Sequence, residues 1–220
     1  MDSVQFWTIC AANGITLEPE QLRALERYAN ELRYWNARVN LISRKDIEHL
    51  YEHHFLHSLA ALKYVSLPER AWCVDVGTGA GLPGIPIAIA RPDLHMLLVE
   101  AVAKKARLAA LFARHTGLPH LQVKRVRIEE LSDDPAYQHS FDAAFARAVA
   151  PLATLAKWTL PLLKPKGQLV AYKGGDISSE IETVRRSFPE LSVTVHDIQL
   201  HGAPWFKEQQ KRIVVCCRIS

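Results

Sequence analysis

The stretch Val74-Asp75-Val76-Gly77-Thr78-Gly79-Ala80-Gly81-Leu82-Pro83-Gly84 decides the fold of this chain. Residues 71–76 are apolar except for Asp75, which is typical of a strand inside a parallel sheet. Glycines follow, and they let the backbone turn sharply and a ligand lie directly against it. Prolines near the next segment suit the first turn of a helix, so we predict a helix over 82–90. A strand, a glycine turn and a helix in this order form the usual ligand crevice of an open α/β fold.

The next strand indicates what the crevice binds. Gly79 to Gly84 matches the dinucleotide pattern G-x-G-x-x-G, which is weak on its own because a tight structural turn gives the same pattern. The apolar run 94–99, however, ends in Glu100, and an acid at this place accepts the ribose hydroxyls of a nucleoside. The sequence therefore predicts an adenosine-containing cofactor, either NAD or S-adenosylmethionine (AdoMet). Backbone groups of the turn would hold a carboxylate of the cofactor; they belong to Gly77, Thr78, Gly79 and Gly81.

Asp75 has two interpretations of equal weight. Its carboxylate can neutralise the cationic end of AdoMet, or it can cap N–H groups of the turn.

The rest of the chain alternates strands and helices, which predicts βαβ units and a parallel sheet. Residues 1–70 are predicted to be a helical extension with helices at 19–35 and 46–65, the second capped by Asp46. Residues 71–220 are predicted to be the cofactor-binding domain. We expect its strands at 71–76, 94–99, 121–126, 141–146, 168–173, 192–199 and 213–219, and its further helices at 102–116, 151–163 and 176–187. Five such strands and a closing antiparallel hairpin favour AdoMet over NAD and the class I methyltransferase fold, a Rossmann-like seven-stranded sheet.

Composition limits the remaining classes of function. The chain has 220 residues, 49% of them apolar, and a net charge of +4, which is compatible with a polyanionic substrate. The absence of a signal peptide and of a long apolar run favours a cytoplasmic protein that binds no membrane. Cysteine spacing shows no metal or redox motif, so we expect reduced, structural thiols at Cys10, Cys73, Cys216 and Cys217.

A histidine row competes with this interpretation. His49-Leu50-Tyr51-Glu52-His53 matches the inverted zincin pattern H-x-x-E-H, and His57 extends the row by one turn. A zinc peptidase would leave the whole α/β domain without a purpose. Because the row lies opposite much of the apolar face, we predict a solvated, metal-free face that contacts RNA phosphates.

Several separated segments resemble one family, the bacterial small-subunit (16S) ribosomal RNA guanine-N7 methyltransferases, also called glucose-inhibited division protein B. The matching segments are Trp35-Asn36, Asn40 to Ser43, His54 to Leu59, Asp75 to Pro86, Arg127 to Glu130, Phe141-Asp142, Ala146 to Ala148, Lys173-Gly174 and Arg212 to Val215. One departure is His57, where the family usually has Asp.

The resemblance implies AdoMet-dependent methylation of guanine N7 in 16S ribosomal RNA, with the RNA or the small ribosomal subunit as substrate and a monomeric enzyme. It places Gly77, Leu82, Ile128, Glu129 and Arg147 in the AdoMet pocket. Arg147 also ends an apolar strand, where a charge needs a partner, and together with Lys173 it is a candidate catalytic residue. Candidate RNA contacts are Arg38, Asn40, His54, Lys207, Lys211 and Arg212.

Guanine N7 carries a lone pair and no proton, so methyl transfer to it needs positioning and no general base. Three alternatives stay open at this point: a methyltransferase acting on a small molecule, a non-catalytic RNA-binding module on the same fold, and an NAD oxidoreductase.

Overall fold

The computed structural model describes residues 1–219 and contains one seven-stranded sheet. Its strand order is β3-β2-β1-β4-β5-β7-β6. Strands β1 to β5 pair in parallel, and β7 lies antiparallel between β5 and β6. The strand bounds are β1 Trp72–Val76, β2 His95–Val99, β3 Leu121–Lys124, β4 Phe141–Arg147, β5 Leu163–Gly174, β6 Leu191–Asp197 and β7 Lys211–Arg218. This confirms the predicted fold class and all seven strands.

The α-helices are α1 Ser3–Ala12, α2 Pro19–Asn36, α3 His57–Ala60, α4 Gly84–Ala90, α5 Ala103–Thr116, α6 Ile128–Asp133, α7 Leu152–Thr159, α8 Ser178–Ser187 and α9 Trp205–Glu208. Two predicted bounds were wrong, the end of the helix predicted over 151–163 and the start of the strand predicted over 168–173. Helix α7 ends at Thr159, because the chain turns there and β5 begins at Leu163, opposite Phe141. Helix α1 and the short helices α6 and α9 were not predicted.

The predicted helix 46–65 is irregular, and this matters for the site. It begins as a 3-10 helix, Asp46–His49, continues as a π-helix, Leu50–Leu56, and passes through α3 into a last 3-10 turn. Asp46 is not its N-cap; the Ser43 hydroxyl accepts from the Asp46 N–H at 3.1 Å instead. Because a π-helix has more residues per turn than an α-helix, its side chains do not keep the faces that an α-helical period predicts.

The helical extension and the sheet share one apolar cluster, which includes Phe55, Leu59 and Phe145. Tyr28 of α2 stacks on Phe55 with ring centroids 5.2 Å apart, and its hydroxyl donates to the Ala80 carbonyl at 2.8 Å. The extension therefore contacts the glycine turn directly. A second cluster covers the other face of the sheet beneath α7 and α8. No helix among residues 1–219 is both long enough and apolar enough to cross a bilayer.

Candidate active site

The buried carboxylate of Asp75 fixes the glycine turn after β1 through hydrogen bonds. This carboxylate is fully buried; one oxygen accepts from the Thr78 hydroxyl and from the Gly84 N–H, at 2.9 Å for the latter. The other oxygen is buried without a hydrogen-bond partner. Burial raises the pKa of Asp75 to about 7. These contacts favour the capping interpretation of Asp75 over direct contact with a cofactor.

Two residues of the turn reach the surface. Gly77 and Gly79 are half-exposed, whereas Thr78, Gly81 and Leu82 are buried. Gly77 and Gly79 have positive φ angles, +62° and +58°, which residues other than glycine rarely adopt. A Cβ on Gly77 would come within 2.9 Å of Val149, while a Cβ on Gly79 would meet only the Gly77 carbonyl, at 3.9 Å. The turn therefore presents bare backbone to open space at Gly79, whereas Gly77 lies against Val149.

Glu100 connects the end of β2 to this turn. Its Oε2 accepts from the Gly79 N–H at 2.9 Å and its Oε1 from the Val102 N–H at 2.8 Å. Each oxygen keeps a lone pair for another donor. A carboxylate beside exposed glycine backbone is the donor and acceptor set that an adenosine-containing cofactor needs, so these residues fit AdoMet.

The α6 start forms the next part of this edge. Ile128 is buried in the cluster that covers the second face of the sheet, and Glu129 is exposed in the first helical turn. The structure thus places an apolar side chain and a free carboxylate after β3, at the same edge as Glu100.

Arg147 ends β4 and has no acidic partner. Its guanidinium donates to the His53 carbonyl at 3.2 Å and to His54 Nδ1 at 2.8 Å. Among residues 1–219 no carboxylate forms an ion pair with it. Burial lowers its pKa, while Tyr172 and Asp75 oppose this. Arg147 therefore has the partners that a buried charge needs, but they are a neutral imidazole and a carbonyl. Neither group compensates the positive charge of the guanidinium.

Lys173 lines the same crevice, a cavity of about 680 Å³ that extends to Arg147. Its ammonium pairs with Glu180 Oε2 at 2.7 Å and donates to the Ala150 carbonyl at 3.0 Å. The same Glu180 oxygen accepts from the Leu152 N–H at 2.6 Å. Lys173 and Glu180 thus fix the loop between β4 and α7. The sequence analysis missed Glu180, because no local pattern links it to Lys173.

The predicted solvated histidine face of His49, His53 and His57 holds only for His49, which is exposed. His54 and His57 are buried, and His53 is half-buried and stacks on Trp205 with centroids 3.9 Å apart. Burial lowers the pKa of His54 to about 3 and that of His57 well below its usual value, with Arg147 as the next cause in both cases. His54 is therefore not at the surface, and its predicted contact with RNA stays a prediction. No group of three or more His, Cys, Asp or Glu within residues 1–219 could hold a metal ion.

The basic residues predicted to contact RNA lie on separate surfaces. Lys211 lines the Arg147 crevice, while Lys207 borders another cavity beside Lys63. Arg212 pairs with Asp197 at 2.7 Å and donates to the Gly175 carbonyl. The three C-terminal cations therefore do not form one patch.

In the extension, a groove of about 850 Å³ contains Arg38 and Asn40 together with Arg33 and Arg44. Arg38 also lies over the Tyr34 ring, 3.8 Å from its centroid.

The strand order and the exposed glycine turn define the class: an α/β fold of the class I AdoMet-dependent methyltransferases. Solved structures agree. A SAM dependent methyltransferase from Aquifex aeolicus has a TM-score of 0.57 at 15% identity, over 81% of this chain and 100% of that one. A putative S-adenosyl-L-methionine-dependent methyltransferase from Methanococcus maripaludis has a TM-score of 0.54 at 13% identity, over 80% and 92%.

Sequence comparison gives the family. Residues 21–213 match the family model described as GidB, rRNA small subunit methyltransferase G. Proteins named ribosomal RNA small subunit methyltransferase G are 40% identical in Roseiflexus sp. strain RS-1 and 38% identical in Chlorobium luteolum. These matches cover 94% and 96% of this chain and 87% of each relative. The chain belongs to the rRNA small subunit methyltransferase G family, as the sequence motifs predicted.

Proposed function

We propose that this protein transfers a methyl group from AdoMet to N7 of a guanine in 16S ribosomal RNA. The observation that carries the proposal is the uncompensated Arg147 guanidinium, which lines a crevice together with Val149, the side chain next to Gly77 of the glycine turn. Guanine presents two acceptors on one edge, O6 and N7, and arginine is the side chain that most often contacts this edge. Membership of the family supports the same reaction and substrate.

The cofactor would be held at the glycine turn. Backbone groups of Gly77 and Gly79 would contact the methionine part, with Thr78, Gly81 and Leu82 supporting them from inside. Glu100 would accept the ribose hydroxyls, and Ile128 and Glu129 would border the adenine. AdoMet supplies an electrophilic methyl group on a sulfonium. Asp75 would act indirectly, by fixing the turn through Thr78 and Gly84.

The protein's part in the reaction would be to place the guanine. N7 needs no deprotonation, and the buried imidazoles beside Arg147 have pKa values too low to gain a proton near neutral pH. Arg147 would donate to guanine O6. The Lys173 ammonium has three protons and uses two on Glu180 and Ala150, so the third is available to the substrate.

RNA would approach along the extension, residues 1–70, whose groove contains Arg38 and Asn40, and would reach the catalytic domain, residues 71–220, beside Lys211. The substrate would be the small-subunit RNA, free or assembled, and the protein would act as a cytoplasmic monomer without metal.

Labelled methyl transfer tests this proposal. AdoMet with a tritiated methyl group is incubated with purified small subunits, and separately with naked 16S RNA. We expect label in 7-methylguanosine, and cleavage of the RNA by aniline after reduction at a single position. Label in another nucleoside would refute the N7 assignment. Absence of label in both RNA samples, with AdoMet binding intact, would favour the small-molecule methyltransferase or the non-catalytic RNA-binding module.

A further inference from the structure

A second, smaller compartment lies next to the Arg147 crevice. Its volume is about 250 Å³, and its walls include His53, His54, His57, Arg147, Trp205 and Lys211. We call it the histidine compartment. It shares His57, Arg147, Ala148 and Lys211 with the larger crevice. A ligand in the crevice and a group in the histidine compartment would therefore both contact Arg147.

His54 lines this compartment and carries an unused hydrogen-bond donor. A guanidinium can only donate, so the 2.8 Å contact from Arg147 makes His54 Nδ1 an acceptor and places the ring proton on Nε2. That Nε2 is buried and has no partner within residues 1–219, and the side chain is only 9% exposed. His57, 6% exposed, likewise has a buried Nε2 without a partner. Buried polar groups are almost always paired, so two unpaired ones in one place need an explanation, and a bound ligand supplies one.

The charges of the compartment favour an anion. Lys211 lies 5.1 Å from the centroid of the Trp205 ring, and no carboxylate among residues 1–219 pairs with it or with Arg147. The one acid in the walls is Asp46. Its two oxygens are occupied, one by the Ser43 hydroxyl and one by His53 Nδ1, both at 3.1 Å. The walls thus carry two cations, Arg147 and Lys211, and one neutral donor, His54. The single carboxylate, Asp46, already accepts hydrogen bonds on both oxygens.

We propose that the histidine compartment binds a phosphodiester of the RNA next to the target guanine. His54 Nε2–H and Lys211 Nζ donate to its oxygens, and the shared Arg147 connects this contact to the base in the crevice. The volume is below the roughly 300 Å³ at which small-molecule pockets usually begin, so it suits a single group better than a second whole nucleotide. The inference rests on the proposed function, since it needs RNA as the substrate.

Three variants separate the contributions of these groups. His54→Asn keeps an oxygen near the Nδ1 position for Arg147 and removes the Nε2 donor. His54→Gln places an amide donor near the Nε2 position and gives up the acceptor for Arg147. Lys211→Ala removes a half-buried cation. Lys207→Ala is the matched control, because Lys207 lies at a different cavity. Thermal melting with and without AdoMet checks that each variant folds.

Phosphate ethylation interference on 16S RNA measures the contact, because ethylation neutralises one phosphodiester at a time. With the unaltered protein, we expect ethylation of one linkage flanking the target guanine to prevent binding. This interference should vanish with Lys211→Ala and His54→Asn and persist with His54→Gln and Lys207→Ala. Lys211→Ala should weaken RNA affinity about tenfold or more, as loss of a charged hydrogen bond does.

Aniline cleavage of the same RNA after methylation locates the target and tests the proposed function separately. If the guanine is methylated but Lys211→Ala and His54→Asn leave the interference at its flanking linkages unchanged, the inference is overturned and the proposed function stands. Interference lost equally in Lys207→Ala would overturn it too. If no guanine is methylated, the proposed function fails, and the inference fails with it. Should His54→Asn not fold, the comparison of Lys211→Ala with Lys207→Ala still decides.

Discussion

Gly79→Val is the sharpest perturbation of the proposed cofactor site, because it adds a side chain where the structure is open. Gly79 has φ +58°, and the nearest atom to an added Cβ is the Gly77 carbonyl oxygen at 3.9 Å. The cost to stability is therefore backbone strain without a steric clash. A residue other than glycine in this region costs about 1–3 kcal/mol. In a chain of this size that lowers the melting temperature by about 2–4 °C per kcal/mol, so the variant should still fold.

The effect on AdoMet binding should be much larger. AdoMet at a hundred times its Kd stabilises the unaltered protein by about 2.7 kcal/mol, which raises its melting temperature by roughly 5–11 °C. The valine side chain would stand over the exposed backbone and displace the N–H that Glu100 accepts. A hundredfold loss of affinity leaves about 0.4 kcal/mol at the same concentration, a shift of only 1–2 °C.

The assay is thermal melting with AdoMet and, separately, with NADH. Gly117→Val is the matched control: Gly117 has φ +73° at the end of α5, and a Cβ there meets nothing within 4 Å. It should show similar destabilisation and the full AdoMet shift. The reasoning is refuted if Gly79→Val keeps the full shift, or if Gly117→Val loses it. A shift of the unaltered protein with NADH and none with AdoMet would indicate an NAD oxidoreductase.

Three further predictions follow from the same contacts. The single-turnover methylation rate of the unaltered protein should stay flat from neutral to mildly alkaline pH, because N7 needs no deprotonation. Arg147→Lys keeps the charge but loses the planar fork, so this rate should slow about tenfold or more while the Kd for RNA changes less. An equal loss in rate and in RNA affinity would contradict this. Because His54 has a pKa of about 3 in the folded protein against about 6.5 unfolded, the unfolded state binds the proton first, and stability is lost as pH falls below 6.5. The free energy of unfolding in urea, taken as the unaltered protein minus His54→Asn, should fall by about 2 kcal/mol between pH 7.5 and 5. The raised pKa of Asp75 acts with the opposite sign, but it is present in both proteins and cancels in this difference. Glu180→Gln should cost about 1–3 kcal/mol of stability and lower kcat by weakening the hold on Lys173, whereas the exposed Glu182→Gln should do neither.

Much of the fold follows from the sequence because its signals are local. The apolar runs, the glycine turn and the acid at the end of the second strand each depend on neighbouring residues, and the parallel strands bring Gly79 and Glu100 together, as the structure shows at 2.9 Å. The cation at the end of β4 was also recognisable, since a charge that ends an apolar strand needs a partner.

Which group partners Arg147 depended on residues far apart in the chain. His54 meets Arg147 across 93 positions, and Lys173 meets Glu180 only because α8 packs against the loop before α7. No periodicity encodes such pairs. The C-terminal cations show the same limit: neighbours in sequence, Lys207, Lys211 and Arg212 lie on different surfaces.

The sequence by itself determined the class of fold, the place of the glycine turn and the family, because glycine, strand and charge patterns act at short range. Tertiary structure decided the interior of the substrate side. A helical period predicted an exposed row of His49, His53 and His57, but His53 stacks on Trp205 and His57, which follows the π-helix Leu50–Leu56, is buried. Whether a helix adopts a π segment depends on what it packs against. That packing places the buried, neutral imidazoles of His54 and His57 next to Arg147.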